Sequence, residues 1–266
     1  MAAPLLTFEN VWASRGHATV LRGVDLEVPD RGVSVLCGPS GAGKTSLLRT
    51  ANRLDPIDRG RILFRGVDVT TIDPRELRRR LGMVFQRPAL FAGTVMTNLL
   101  VADPDLDVDA ARALLNEVEL DPALLERTAD SLSGGEAQRM CVARAMAAQP
   151  AALLADEPTS ALDVEHVEAI ERLSRRQADA GCPWLWVSHA RLQIRRLADF
   201  VAVLDDGHVV AAGSYTEVAA SEDPEIRRLV GADLHVDLHV QPEEAAPMRT
   251  EPGHGLDEHM PEQEPR

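Results

Sequence analysis

Val33-Ser34-Val35-Leu36-Cys37-Gly38-Pro39-Ser40-Gly41-Ala42-Gly43-Lys44-Thr45 is a compact apolar run closed by a glycine-rich loop that ends on lysine and threonine. Leu47, Leu48, Ala51 and Leu54 then recur at helical spacing. Strand, glycine loop and helix in that order are what a phosphate-binding loop requires. Backbone N–H groups reach phosphate oxygens only where side chains are absent, hence Gly41 and Gly43, with Gly38 at the loop's entry. Pro39, Ser40 and Ala42 complete the loop, and the helix starting near Lys44 adds its positive dipole end. Lys44 offers a mobile charge to the β and γ phosphates, Thr45 a hydroxyl to Mg²⁺, and Ser46 an extra phosphate donor. The glycines run Gly38, Gly41, Gly43, which is not the Gly-x-Gly-x-x-Gly spacing of a dinucleotide fold. A glycine-rich turn with a solvated lysine is the competing reading, and the rest of the chain decides against it.

A second motif follows the apolar strand Ala152 to Ala155, which ends in Asp156-Glu157-Pro158. A carboxylate at the end of a parallel strand beside a phosphate loop can hold Mg²⁺ through water, and its neighbour can polarise an attacking water. Asp156 is the metal candidate and Glu157 the general base. Alone, such acids more often cap the next helix; with the phosphate loop they describe nucleotide hydrolysis. A third stretch, Ser133-Gly134-Gly135-Glu136, has the spacing of a capping box. It is a second glycine cradle, with no lysine, no feeding strand and no metal carboxylate of its own: it could hold a γ phosphate and could not process one.

Thr7 to Trp12, Val24 to Val28 and Arg61 to Phe64 read as strands of an antiparallel sheet. From Pro88 to Asp130 the pattern is helical, with Asp107 to Leu120 carrying acids at its start. Helix from Gly134, strand from Ala151 to Ala155, helix from Val164 to about Ala180 and strand from Trp184 to Ser188 predict a parallel sheet covered on both faces. Trp184 and Trp186 alternate along that last strand and read as core. Asp205-Asp206-Gly207 between Val201 to Leu204 and His208 to Ala211 predicts a hairpin.

The net charge of −14 argues against general nucleic-acid binding, which needs a cationic field. Half of that charge falls after residue 230, where nine acids face two arginines, and the loss of periodicity there predicts a disordered tail over 231–266. His235, His239, His254 and His259 in it could hold a metal, but their irregular spacing favours a solvated segment. Cys37, Cys141 and Cys182 read as free thiols of a reducing compartment. No apolar run is long enough to span a bilayer, and Met1-Ala2-Ala3-Pro4 is not the start of a signal peptide, so the expectation is a cytoplasmic protein whose membrane role, if any, needs another chain.

Taken together, these residues resemble the nucleotide-binding subunits of ATP-binding cassette (ABC) transporters. Gly38 to Thr45 is similar to the Walker A motif, Gln86 in Met83-Val84-Phe85-Gln86 to the Q-loop, and Leu132-Ser133-Gly134-Gly135-Glu136 to the signature. Leu153 to Pro158 is similar to Walker B, Ser160-Ala161-Leu162-Asp163 to the D-loop, and Val187-Ser188-His189 to the switch histidine. The resemblance covers residues 5 to about 220. It implies an α/β P-loop NTPase fold with a parallel sheet core, an N-terminal antiparallel β subdomain and a small helical subdomain over about 87–150, within an ATPase domain over 1–230. It implies ATP and Mg²⁺ as ligands, Gln86 touching Mg²⁺ and sensing a membrane partner, His189 at the γ phosphate and Asp163 crossing a dimer interface. It further implies ATP hydrolysis driven by Glu157, His189 and Lys44, in a dimer or paired cassette bound to the inner face of the cell membrane through a separate integral membrane subunit.

In most members an aromatic side chain stacks on adenine where this sequence has Arg15, in Asn10-Val11-Trp12-Ala13-Ser14-Arg15-Gly16. A guanidinium plane can also stack on a purine; Trp12 could do so only in a rearranged loop. Gln86 to Val95, the short insert and Leu185 to His189 are similar to a single-cassette subgroup linked to iron efflux, with relatives labelled phosphate-import ATPases. The alternatives are a soluble ABC ATPase acting on ribosomes or DNA, which usually has two cassettes or a coiled-coil insert, and a regulatory module that binds ATP without hydrolysing it.

Overall fold

The computed structural model describes residues 3–234. The predicted disordered tail and its histidines lie outside the described residues, apart from the short stretch up to Leu234. Strand β1 (Leu6–Arg15), β2 (Ala18–Val28), β4 (Arg59–Phe64) and β5 (Val67–Asp68) form an antiparallel sheet in the order β2-β1-β4-β5. The first strand runs past the predicted end at Trp12 because Gly16, at φ 63°, lets the chain reverse within two residues, pairing Arg15 with Ala18. Arg15 is therefore the last rung of a hairpin rather than part of a free loop.

The second sheet has the order β10-β9-β3-β8-β7-β6, from β3 (Val33–Cys37), β6 (Leu81–Val84), β7 (Ala152–Asp156), β8 (Trp184–Val187), β9 (Phe200–Asp205) and β10 (His208–Ser214). All its pairings are parallel except β9 with β10, which form the predicted hairpin. Every residue of β3, β7 and β8 is buried, the mark of a sheet covered on both faces. Alternation along the strands sorts their side chains into two cores. Val33, Val35, Leu153, Ala155, Trp184 and Trp186 face one core. Leu36, Ala152, Leu154, Leu185 and Val187 face the other, which also holds Phe8, Val24 and Phe64 of the antiparallel sheet. The two tryptophans are fully buried with ring centroids 5.6 Å apart, core packing as their alternation indicates.

Helix α1 (Lys44–Ala51) sits on the second core through Leu47, Leu48 and Ala51, together with Leu77 of α2 (Pro74–Arg80). The first core is roofed by α3 (Val95–Leu100), α4 (Val108–Glu117), α5 (Gly134–Ala147) and α6 (Val164–Asp179). Thr94, Asp107, Ser133 and Asp163 each cap one of these four helices with a side-chain oxygen, which fixes where each begins. The chain continues through α7 (Arg191–Leu197), α8 (Tyr215–Ala219) and α9 (Pro224–Val230). Among the described residues no helix is long and apolar enough to cross a membrane.

Arg49 of α1 grips Asp55 with two guanidinium hydrogen bonds of 2.7 and 2.8 Å, holding that carboxyl below the usual aspartate range. A depressed folded-state pKa contributes stability that is present above the unfolded pKa and lost as pH falls through the folded one. Asp55→Asn is expected to lower Tm at neutral pH by about 2–3 °C, for a half-buried pair worth about 1 kcal/mol. The difference between variant and parent should close on acidification, which thermal melts across pH would show.

Candidate nucleotide site

Strands β3, β6, β7 and β8 point the same way, so their C-terminal ends share one edge, where open α/β sheets bind ligands. The loop Gly38 to Gly43 leaves β3, Gln86 follows β6, Asp156 ends β7 with Glu157 next to it, and His189 follows β8. Topology thus brings to one edge residues that are far apart in sequence.

The three glycines serve different ends. A Cβ built on Gly38, at φ 139°, would lie 1.9 Å from the Leu204 carbonyl oxygen, and one on Gly43, at φ 103°, 2.6 Å from that of Val20. These two let the loop press against β9 and β2. Gly41, at φ 83°, is exposed with nothing within 4 Å of such a Cβ, so it leaves the outer side of the loop open. The loop is braced from beneath: Gly207 N–H donates to Ala42 O at 3.1 Å, and Arg22 N–H donates to Gly207 O at 2.9 Å. The Asp205-Asp206-Gly207 turn, legible only as a hairpin, is in fact a support of the phosphate loop. Gly38→Ala must displace either the loop or the end of β9. We expect a loss of about 1–3 kcal/mol in stability and at least about tenfold in ATP affinity, read by melting and by titration with a fluorescent ATP analogue.

Lys44 is 7% exposed and its ammonium donates to the Gly38 and Pro39 carbonyl oxygens at 2.8 and 2.7 Å. Burial lowers its pKa, opposed first by the charge of Glu157. Thr45 Oγ1 donates to Asp156 Oδ1 at 3.0 Å. Asp156 is 4% exposed, and burial raises its pKa against the hydrogen bond from Thr45. An oxygen-only pair whose carboxylate is penalised by burial is chemically suited to a hard divalent cation, which would remove that penalty. Glu157 adopts a left-handed backbone conformation at φ 46°, uncommon for a residue with a long side chain, and its N–H donates to Val187 O at 3.2 Å. Its carboxylate accepts from Gln86 Nε2 at 3.0 Å and lies 3.2 Å from His189 Nδ1. Strain of this kind is a common companion of function.

Lys44, Thr45, Gln86, Asp156, Glu157 and His189 therefore gather in one place. Ser133, Gly134, Gly135 and Asp163 form another. Ser133 Oγ accepts from Glu136 N–H at 3.2 Å and Glu136 Oε2 accepts from Ser133 N–H at 2.7 Å, completing the predicted capping box. Gly134 is exposed and has open space beside it, while a Cβ on Gly135 would lie 3.5 Å from Leu162 of the segment leading to Asp163. Asp163 caps α6 through His166 N–H at 3.1 Å and its carboxylate meets His166 Nδ1 at 2.6 Å. Arg15 stands exposed at the hairpin end, with Asp55 within reach of its charge. Trp12 donates its indole N–H to Asn10 Oδ1 at 2.9 Å and lies against Gly23, fastened to its own sheet.

The ABC transporter family pattern matches residues 21–160, more than half of the chain, from the second strand through the phosphate loop to Ser160. The chain belongs to the ABC transporter family. This cassette is similar to the protein STAR1 of Oryza sativa subsp. japonica, 45% identical over 79% of the cassette and 62% of STAR1. It is also similar to the phosphate import ATP-binding protein PstB of Pyrobaculum aerophilum, 37% identical over 80% of the cassette and 92% of PstB. Among solved structures, a bacterial Atm1-family ABC exporter with ATP bound superposes with a TM-score of 0.75 at 30% identity, covering 85% of the cassette and 41% of the exporter chain. These likenesses bear out the P-loop NTPase fold expected from the motifs.

A groove of about 590 Å³ is lined by Arg78, Met83, Phe85, Phe91, Val101 and Arg144 among others. Phe91 and Val101 are each about half exposed, and the Arg144 guanidinium stacks over the Phe91 ring at 4.9 Å. Phe85 in its wall is the neighbour of Gln86.

Gln193, fully absent from the motif reading, is 4% exposed and borders the site. The available signal was a glutamine on the stripe that Ile194 and Leu197 turn inward.

Proposed function

We propose that this cassette is the ATP-hydrolysing subunit of a membrane transporter and works by ATP-driven, head-to-tail pairing with a second cassette. The observation that carries the reading is the separation of its two glycine cradles. The loop at Gly41 is open outward and has lysine, hydroxyl and carboxylates beside it. The Ser133-Gly134-Gly135 start of α5 is also open outward, but Lys44 is the only lysine of the sequence, and the carboxylate at hand here, Glu136, is engaged by the Ser133 N–H at 2.7 Å. Each is half of a site, so the signature of one chain would close over the nucleotide held by the other's loop. Val164, 76% exposed beside Asp163, and Leu192, 48% exposed near His189, are apolar residues on segments that such pairing would cover.

In this reading Gly38 to Ser46 hold the phosphates, with Lys44 leaving its contacts to the loop carbonyls to meet them. Thr45, Asp156 and Gln86 would hold Mg²⁺, which when bound neutralises phosphate charge and orients the γ phosphoryl group. Glu157 takes a proton from the attacking water, and His189, whose Nδ1 lies 3.2 Å from that carboxylate, contacts the γ phosphate. Arg15 offers its guanidinium plane to adenine; Arg15→Ala is the variant that removes it. The groove beside Phe85 and Phe91 seats the membrane subunit, and Gln86, hydrogen-bonded to Glu157, reports its movement to the hydrolytic carboxylate. Cargo and direction are set by that subunit, consistent with relatives named for substrates as different as phosphate and mycobactin.

The test is affinity purification of Glu157→Gln from native membranes with ATP. Recovery of an integral membrane protein supports the reading; recovery of ribosomal proteins in its place would favour the soluble alternative.

A further inference from the structure

A cavity of about 250 Å³ beside the hydrolytic carboxylate is lined by Glu157, Thr159, His189, Gln193 and Arg196 among others. In its floor lies a polar network that the motifs do not contain. Gln193 Oε1 accepts from Ser188 Oγ at 2.7 Å, and Gln193 Nε2 donates to Thr159 Oγ1 at 3.0 Å and to Glu171 Oε1 at 3.2 Å. Ser188 Oγ in turn accepts from Ala190 N–H at 3.1 Å, so its hydroxyl brackets His189 from both sides. Glu171, 6% exposed, also accepts from Arg196 Nη2 at 2.9 Å.

One buried amide thus joins three elements: the turn that carries His189, the segment between Glu157 and Asp163, and helix α6. Its orientation is dictated, because an ionised Glu171 can only accept and must face the amide nitrogen. The opposite face of the amide is then an acceptor, which is what the Ser188 hydroxyl needs once it has taken the Ala190 N–H. A residue with only acceptors would meet Glu171 as carboxylate against carboxylate in a buried site.

We propose that Gln193 is a positioning residue that holds His189 and the 157–163 segment in mutual register, acting through Ser188 and Thr159. The proposal rests on the hydrolytic reading of Glu157 and His189, and adds to it a determinant outside every motif.

The isosteric pair Gln193→Glu and Glu171→Gln tests it in the full chain. Gln193→Glu is expected to lower kcat for ATP by about tenfold, with KM changed by less than about twofold, since misplacement at the reacting end leaves the phosphate loop intact. Peptides covering 157–163 and 186–192 should gain hydrogen exchange in the same variant, a readout that needs no turnover. Glu171→Gln alone keeps an acceptor for the Gln193 amide and should be mild. The double variant reverses donor and acceptor between residues 171 and 193, at the cost of the Arg196 bond to the same Glu171 oxygen, and should recover most of the kcat and exchange protection lost in the single variant. Wild-type kcat and exchange in Gln193→Glu, or a double variant as impaired as the single one, would overturn the proposal. Absence of turnover in the wild type would instead count against the hydrolytic reading, while the exchange data would still decide whether Gln193 couples the two segments.

Discussion

Glu157→Gln is expected to cut ATP turnover at least about a hundredfold while leaving ATP affinity within about twofold. The substitution is isosteric, and Gln86 Nε2, which donates to Glu157 Oε2 at 3.0 Å, keeps an acceptor in the amide oxygen. What is lost is the capacity to take a proton from water. The phosphate loop packs on Leu204 and Val20 and is hydrogen-bonded by Gly207, supports that do not depend on the charge of residue 157, so the binding half should survive. The variant also removes the charge that most favours protonated Lys44, and so acts in the same direction as burial, which already lowers that pKa. Phosphate release over an ATP titration measures both halves. Equal rates in parent and variant would remove Glu157 from the base role, and no release by either would point to a regulatory module.

Ser133→Arg is expected to leave ATP binding to the single chain unchanged and to abolish ATP-driven pairing, with turnover falling by at least about a hundredfold. Ser133 begins α5 beside the open space at Gly134, and its local contacts are with Glu136 rather than with the phosphate loop. Loss of the cap costs about 1 kcal/mol and could itself disturb α5. Ser133→Asp separates the two effects, because aspartate caps as well as serine yet sets a negative charge where a phosphate must approach. Both variants should therefore fail to pair, and only the arginine variant should lose helix stability. Sedimentation with and without ATP, beside thermal melts, reads the difference.

The parts of this architecture that sequence declares are those written in adjacent residues. The run Val33 to Thr45 declares strand, loop and helix because apolar pattern, glycine spacing and lysine lie within thirteen positions. Ser133 and Glu136 declare a capping box for the same reason, and Trp184 and Trp186 declare a buried strand by alternation. Contacts between distant residues are silent until the chain is folded. Gly207 carries an ordinary turn signal, and nothing beside it announces the backbone bond to Ala42. Gln193 sits on a short helix after the histidine, and its three partners come from segments far along the chain. The extension of β1 to Arg15 is silent in the sequence because it depends on Gly16 and His17 alone reversing the chain, so that Arg15 pairs with Ala18. The collection of Lys44, Thr45, Gln86, Asp156, Glu157 and His189 on one edge follows from strand order, which motifs imply only through a family resemblance.

The central claim is that two cradles in one chain are halves of two sites, and cross-linking tests it directly. Ser40 and Ser133 are both exposed, one in the phosphate loop and one at the start of α5. In the Glu157→Gln background, chains carrying Ser40→Cys are mixed with chains carrying Ser133→Cys and treated with a short bifunctional thiol reagent. ATP is expected to produce a cross-link between residue 40 of one chain and residue 133 of another, identified by peptide mass, and its removal to abolish it. Cross-linking that is independent of ATP, or that joins residue 40 only to residue 40, would contradict head-to-tail pairing.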